Sequence, residues 1–142
     1  MEHSNTININ KIDMLKIEYG IIDNARLFIE DHSCLVLNVD CRLANNSYVT
    51  FGNISLAHKN EPFISKLHKE GDPTNYCGYF ITRILGVFDE YSLEDLKNKP
   101  CRLIFVDYQC VGIMNYLDDE KYFIPKNDWP EKNGVIDLSN IE

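Results

Sequence analysis

Apolar and polar residues alternate along Met14-Leu15-Lys16-Ile17-Glu18-Tyr19, the period of a strand with one buried face. Gly20 interrupts the run, and Ile21 to Ile29 continues as a partly apolar, extended stretch around Asp23-Asn24. Glu30-Asp31-His32-Ser33 reads as a turn, because short polar side chains bond to the local backbone there. Cys34 to Leu43 is the next strand, with Leu35, Leu37, Val39 and Cys41 on one face. Ala44-Asn45-Asn46-Ser47 is a hairpin turn, and Tyr48 to Leu56 is the returning strand. A polar connection, residues 57–72, carries His58, His68 and Glu70-Gly71-Asp72, with a short helical turn over Ile64 to Leu67.

The period then changes. Asp72-Pro73 is an N-cap followed by proline at the first helical position. After it, Tyr76, Phe80, Ile81, Ile84, Leu85, Val87 and Phe88 form a wide apolar stripe at helical spacing. Gly78 and Gly86 weaken the intrinsic propensity of this helix, so packing must hold it. Ser92 opens a second, short helix, with Asp95 at the reciprocal position of a capping box, and Pro100 ends it. Cys101 to Val106 and Cys110 to Leu117 are strands joined at Asp107-Tyr108-Gln109. Asp118-Asp119-Glu120 is a tight acidic turn, and Lys121 to Ile124 closes a last hairpin. The order β-β-β-α-α-β-β predicts an α+β fold: one mostly antiparallel sheet with the main helix packed on one face. Residues 1–12 and 126–142 read as polar tails around a single domain over 13–125, with Trp129 and Ile136 as the apolar anchors of the second tail.

The 142 residues suffice for one domain with its own core, at 44% hydrophobic and 11% aromatic composition. Twenty-two acids against 14 lysines and arginines give a net charge of −8. Such a surface is repelled by phosphate backbones, which argues against direct nucleic-acid binding and suits a partner with a basic surface. The five cysteines form no Cys-x-x-Cys, and Cys34, Cys101 and Cys110 lie in apolar runs. That usage predicts reduced thiols in a cytoplasmic protein. The first residues lack the charged start and apolar core of a secretory signal, and no apolar run has the length of a membrane span.

Chemistry-bearing residues are sparse. Asp31, His32 and Cys34 supply a base, an orienting carboxylate and a thiol, and on an extended strand His32 and Cys34 point the same way. His3, His32, His58 and His68 match no zinc spacing, and Asp118-Asp119-Glu120 lacks a surrounding calcium loop, so neither metal nor cofactor is expected. No glycine-rich phosphate cradle or nucleophile elbow occurs. Arg83 and Arg102 are candidates for holding an anion at a sheet–helix edge, with His58 and His68 as further contacts. Tyr48, Tyr91, Tyr108, Tyr116 and Tyr122, beside acidic groups, suit a protein interface.

Ile29-Glu30-Asp31-His32, Phe51-Gly52, the helix Gly78-Tyr79-Phe80-Ile81-Thr82-Arg83-Ile84-Leu85, Leu93-Glu94-Asp95-Leu96-Lys97 and Cys101-Arg102, with Gly112-Ile113 and Tyr122-Phe123 behind them, form a recognisable series. Over residues 14–124 it resembles a family of short, mostly uncharacterised phage and prophage proteins. The chain departs from that pattern at Ser33, Asn53 and Asn98, where or near where the pattern carries glycine, and at Leu93, where it carries tryptophan. The resemblance implies a phage accessory protein of the host cytoplasm, of the kind that inhibits host defence as anti-CRISPR proteins do.

Three readings follow. In the first, the chain is not an enzyme and blocks a host defence protein or complex. Its contacts are Asp118, Asp119, Glu120, Tyr116, Tyr122, Glu94 and Asp95, since residues 115–142 carry seven acids against three lysines. In the second, it sequesters a nucleotide signal through Arg83, Arg102 and residues 57–72. In the third, it is an enzyme using His32 and Cys34. A homodimer built through an exposed sheet edge is compatible with each.

Overall fold

A computed structural model describes residues 15–59, 76–128 and Leu138. Six strands form one antiparallel sheet in the order β3-β2-β1-β4-β5-β6: β1 Leu15–Ile29, β2 Cys34–Leu43, β3 Tyr48–His58, β4 Pro100–Val106, β5 Gln109–Asn115 and β6 Tyr122–Phe123. The helix α1, Tyr76–Phe88, packs on one face, as its apolar stripe requires. A 3-10 helix, Leu93–Leu96, and the short α2, Pro125–Asp128, complete the described elements. The α+β class and the single sheet with one main helix are as the alternation and the helical stripe predict.

Gly20 does not break β1. It pairs with Leu43 on one side and Cys101 on the other, so β1 runs through as one central strand. A Cβ at Gly20 would come 2.9 Å from the Arg42 carbonyl oxygen, and the missing side chain lets the β2 backbone close in.

Neighbouring residues of the same strands feed opposite faces. Leu103 and Ile113 join Ile22, Leu37, Val39, Phe51, Phe80, Ile84 and Phe123 in the main core beneath α1. Ile104 and Met114 join Ile124 in a smaller cluster on the other face, where Leu15, Ile17, Tyr122 and Leu138 pack. Leu138 is thus an apolar anchor of the C-terminal segment that the sequence pattern did not single out. Trp129, Ile136, the 57–72 connection from Asn60 onward, the Asp72-Pro73 cap and residues 1–14 lie outside the described residues.

Two local expectations are corrected, and a third is sharpened. The short helix after Ser92 is a 3-10 turn, and the Ser92 side chain makes no capping bond although its backbone is extended like an N-cap. The polar tail drawn from residue 126 begins inside α2, whose Asp128 carboxylate accepts bonds from the Tyr79 hydroxyl (2.9 Å) and Arg83 Nε (2.8 Å). The Asp107-Tyr108 turn places both residues at positive φ (51° and 72°), the left-handed pair that suits a right-twisted two-residue hairpin.

Ser33, Asn53 and Asn98 also have positive φ, 65°, 58° and 69°. Glycine is the default residue for that backbone and asparagine a tolerated substitute, so these positions are constrained by chain geometry. Asn53 sits within β3 beside Gly52 (φ 118°), where a bulge offsets β3 from Val36 to Asn38 of β2. The buried Asn38 carboxamide oxygen accepts the Asn53 N–H at 2.7 Å and secures the bulge. Among the described residues β3 pairs only with β2, and the bulge kinks its outer edge, a device that discourages edge-to-edge dimerisation.

Candidate functional site

Among the described residues a groove lies where β1, the start of β4, the β2–β3 turn and the end of β5 meet. Alternation puts Tyr19 on the face opposite α1, paired across strands with Arg102. Its ring meets Tyr116 edge-on, with centroids 5.5 Å apart. The two rings wall a groove of about 390 Å³ that Ile21, Arg42, Leu43 and Pro100 also line. Tyr19, Ile21 and Tyr116 remain 52%, 40% and 41% exposed, more than packing alone would leave.

The acidic turn follows Tyr116 in the chain, and Asn115 sets its shape. The Asn115 side-chain oxygen accepts the N–H groups of Leu117 (2.9 Å) and Asp118 (3.0 Å), and its amide donates to the Val87 carbonyl (2.9 Å) at the end of α1. The Asp118 carboxylate accepts the Glu120 N–H at 2.9 Å. Asp119 reaches back to Arg102 Nη1 at 2.8 Å. Lys121 pairs with Asp89, and Glu90 with Lys99. The segment from Asp89 to Lys99 therefore leaves α1 beside the turn. It is tied to β1 by hydrogen bonds between Asn98, Lys99 and Ile22, and delivers Pro100 into the groove. Glu94 and Asp95 are exposed on this segment, and Tyr91 is 94% exposed.

Of the expected partner-binding residues, Tyr116 lines the groove, Asp118, Asp119 and Glu120 form the turn that follows it, and Glu94 and Asp95 lie on the segment leading to Pro100. Tyr122 does not belong with them. It is half-buried, pairs with Met114 and packs against the smaller cluster, because β6 lies flat on β5. Tyr19, Ile21, Arg42, Pro100 and Asn115 belong to the site and were not among the expected contacts. Tyr19 and Ile21 were visible only as apolar positions of a strand, with nothing to say that they stay uncovered.

Arg83 and Arg102 are not brought together. Arg83 sits over the Phe123 ring, 4.7 Å from its centroid, and also donates to the Tyr122 carbonyl at 3.0 Å, on the α1 face. Arg102 points to the opposite face. The Asp128 hydrogen bond, then burial, push the Tyr79 phenol above its ordinary pKa, so this cluster fastens α2 to α1. His58 ends β3 opposite Cys34, and His68 lies outside the described residues.

The His32–Cys34 pairing also fails on geometry. Ser33 at positive φ turns the chain between the two residues, so they do not share a strand face. The exposed His32 ring meets Glu30 at 3.2 Å, not Asp31, and the Cys34 thiol is directed at the His32 carbonyl at 3.8 Å. Elsewhere, Cys41 and Cys101 are buried with sulfurs 4.0 Å apart. The hydrogen bond between them, then burial, drive the Cys41 thiol far above its ordinary pKa. Burial pushes Cys110 up to about 12 and raises Cys77. A raised pKa leaves less thiolate at a given pH and hence less reactivity. At pH 8 a disulfide reagent is therefore expected to modify Cys34 first and the less favoured Cys77 after it. Cys41, Cys101 and Cys110 should react only in denaturant. Mass spectrometry of the labelled native protein checks this, and modification of Cys41 before Cys34 would contradict the packing described.

Among the described residues no group of three metal-ligating side chains occurs, and no helix is long and apolar enough to cross a membrane. Comparison with protein-family models, curated proteins and solved structures finds no match.

Proposed function

We propose that this chain is a binding protein that engages a partner protein through the Tyr19–Tyr116 groove and the acidic turn that follows Tyr116, without catalysis of its own. The observation that carries the reading is the groove itself: exposed aromatic walls, one of them Tyr116, from which the chain runs straight into the exposed acidic turn Asp118-Asp119-Glu120. Aromatic side chains supply much of the contact energy at interfaces, and a charged rim steers the encounter with an oppositely charged surface. The net charge of −8 favours a basic partner. The resemblance to short phage proteins extends the reading to a role: the partner is a component of host defence, and occupation of its basic surface inhibits it.

The test is affinity capture of the tagged full chain from a nuclease-treated bacterial lysate. One host protein is expected in near-stoichiometric amount. The double variant Asp118→Asn/Glu120→Gln should retain it about tenfold less, a change of about 1.4 kcal/mol. Asp119 is left in place because it holds Arg102. Equal retention by the variant would remove the acidic turn from the account, and loss of capture on nuclease treatment would replace the protein partner with nucleic acid.

A further inference from the structure

Arg102 carries an unmet demand. It is only 9% exposed, with Nε donating to the Asn115 carbonyl at 2.9 Å and Nη1 meeting Asp119 at 2.8 Å. Its Nη2 is buried and has no partner. Buried donors are rarely left so, and a guanidinium fork is shaped to give two parallel bonds to one two-oxygen anion. Asp119 takes one of them, and it reaches in from the turn while itself 81% exposed. Arg102 neighbours the residues of the aromatic wall without itself lining the groove: Tyr19 is its cross-strand partner, and Tyr116 follows Asn115, whose carbonyl it binds.

We infer that the same Tyr19–Tyr116 groove, together with Arg102 beside it, also takes a small ligand, a nucleotide phosphodiester, for whose anion Asp119 is a resident stand-in. The charge decides the anion class. Beside Asp118, the displaced Asp119 and Glu120, a phosphate monoester would add about two negative charges, whereas repulsion is least for a phosphodiester, which adds a single one. Its two free oxygens satisfy Nη1 and Nη2 together. The groove, about 390 Å³, has the volume of a small-molecule site, and its tyrosine rings offer a stacking surface for a base. Arg42, at the groove's other wall, adds a cation.

The test is titration of the full chain with 3′,5′-cyclic AMP, followed by backbone amide chemical shifts, with adenosine as the ring without the anion. Asp119→Asn is expected to bind cyclic AMP at least fivefold more tightly than the unmodified chain, because it frees the fork. Asp107→Asn, exposed at the far end of β5 from Tyr116, makes the same charge change away from Arg102 and should bind like the unmodified chain. Tyr116→Ala should lose the binding with the fold intact, and adenosine should produce no shifts at the groove. Folded protein that shows no shifts with cyclic AMP in either the unmodified or the Asp119→Asn form overturns the inference. So does equal tightening by Asp107→Asn, which would make the effect one of net charge alone.

Discussion

Gly52→Ala is expected to cost about 3 kcal/mol or more and to lower the melting temperature by roughly 10 °C. Two independent penalties combine there. The backbone at Gly52 has φ 118°, a conformation L side chains rarely adopt. A Cβ would also fall well inside contact distance of the Leu37 carbonyl oxygen, a backbone atom of the paired strand that cannot rotate away. The bulge that brings the strands this close is the one closed by the Asn53–Asn38 bond. Relief would require opening β2 from β3, which carry Leu37, Val39 and Phe51 of the core. Asn53→Gly, one residue on at φ 58°, is the control and should be near neutral, since glycine accepts that backbone. Thermal unfolding followed by circular dichroism reads both. A Gly52→Ala protein as stable as the unmodified chain would mean that the bulge is not formed as described.

Phe80→Ala is expected to remove about 3–5 kcal/mol, a large share of the 5–15 kcal/mol that holds a typical domain together. Phe80 is fully buried at the middle of α1. Its ring stacks on Phe51 at 6.3 Å and meets Phe123 edge-on at 5.0 Å, while Phe51 and Phe123 meet at 6.1 Å. Phe51 comes from β3 at one side of the sheet and Phe123 from β6 at the other. The sheet therefore curls enough to bring its two edge strands together beneath the helix, and loss of Phe80 leaves a cavity where three elements converge. Phe80→Leu keeps most of the volume but forfeits the ring contacts, with an expected loss of about 1–2 kcal/mol. Urea unfolding checks the pair: the midpoints should fall in that order with the slope unchanged. A Phe80→Ala midpoint within error of the unmodified chain would deny the triad its role.

Much of this fold was legible because local pattern and tertiary context agree. The β2–β3 hairpin announces itself through alternation on both sides of Asn45-Asn46, and Asn46 indeed takes positive φ. The α1 stripe reads correctly because Phe80, Ile84, Val87 and Phe88 have to meet one apolar face of the sheet at helical spacing. What failed were cases where distant pairing overrides local signal. Gly20 looks like an interruption until strands close on it from both sides. Ser92 and Asp95 spell a capping box, yet the turn is a 3-10 helix whose serine hydroxyl does not cap. Tyr122 looks like a surface tyrosine until β6 is laid against Met114.

The groove was the least legible feature. Its residues, Tyr19, Arg42, Pro100 and Tyr116, come from four separate stretches of chain. They meet because β1 is inserted between β2 and β4, a crossover that no local periodicity encodes. The acidic turn, by contrast, was visible as a run of three carboxylates, and Asn115 two positions before Leu117 was a signal available in the sequence for the side-chain-to-backbone turn that shapes it.

The most direct test of the central claim is site-specific photo-crosslinking in a bacterial lysate. A photoreactive phenylalanine replaces Tyr116 in one protein and Tyr108 in another. Both positions are exposed, but they flank opposite ends of β5, about 26 Å apart. The account predicts a discrete adduct with one host protein from position 116 and none from position 108. An adduct from position 108 alone, or equal adducts from both, would contradict the placement of the binding surface at the Tyr19–Tyr116 groove.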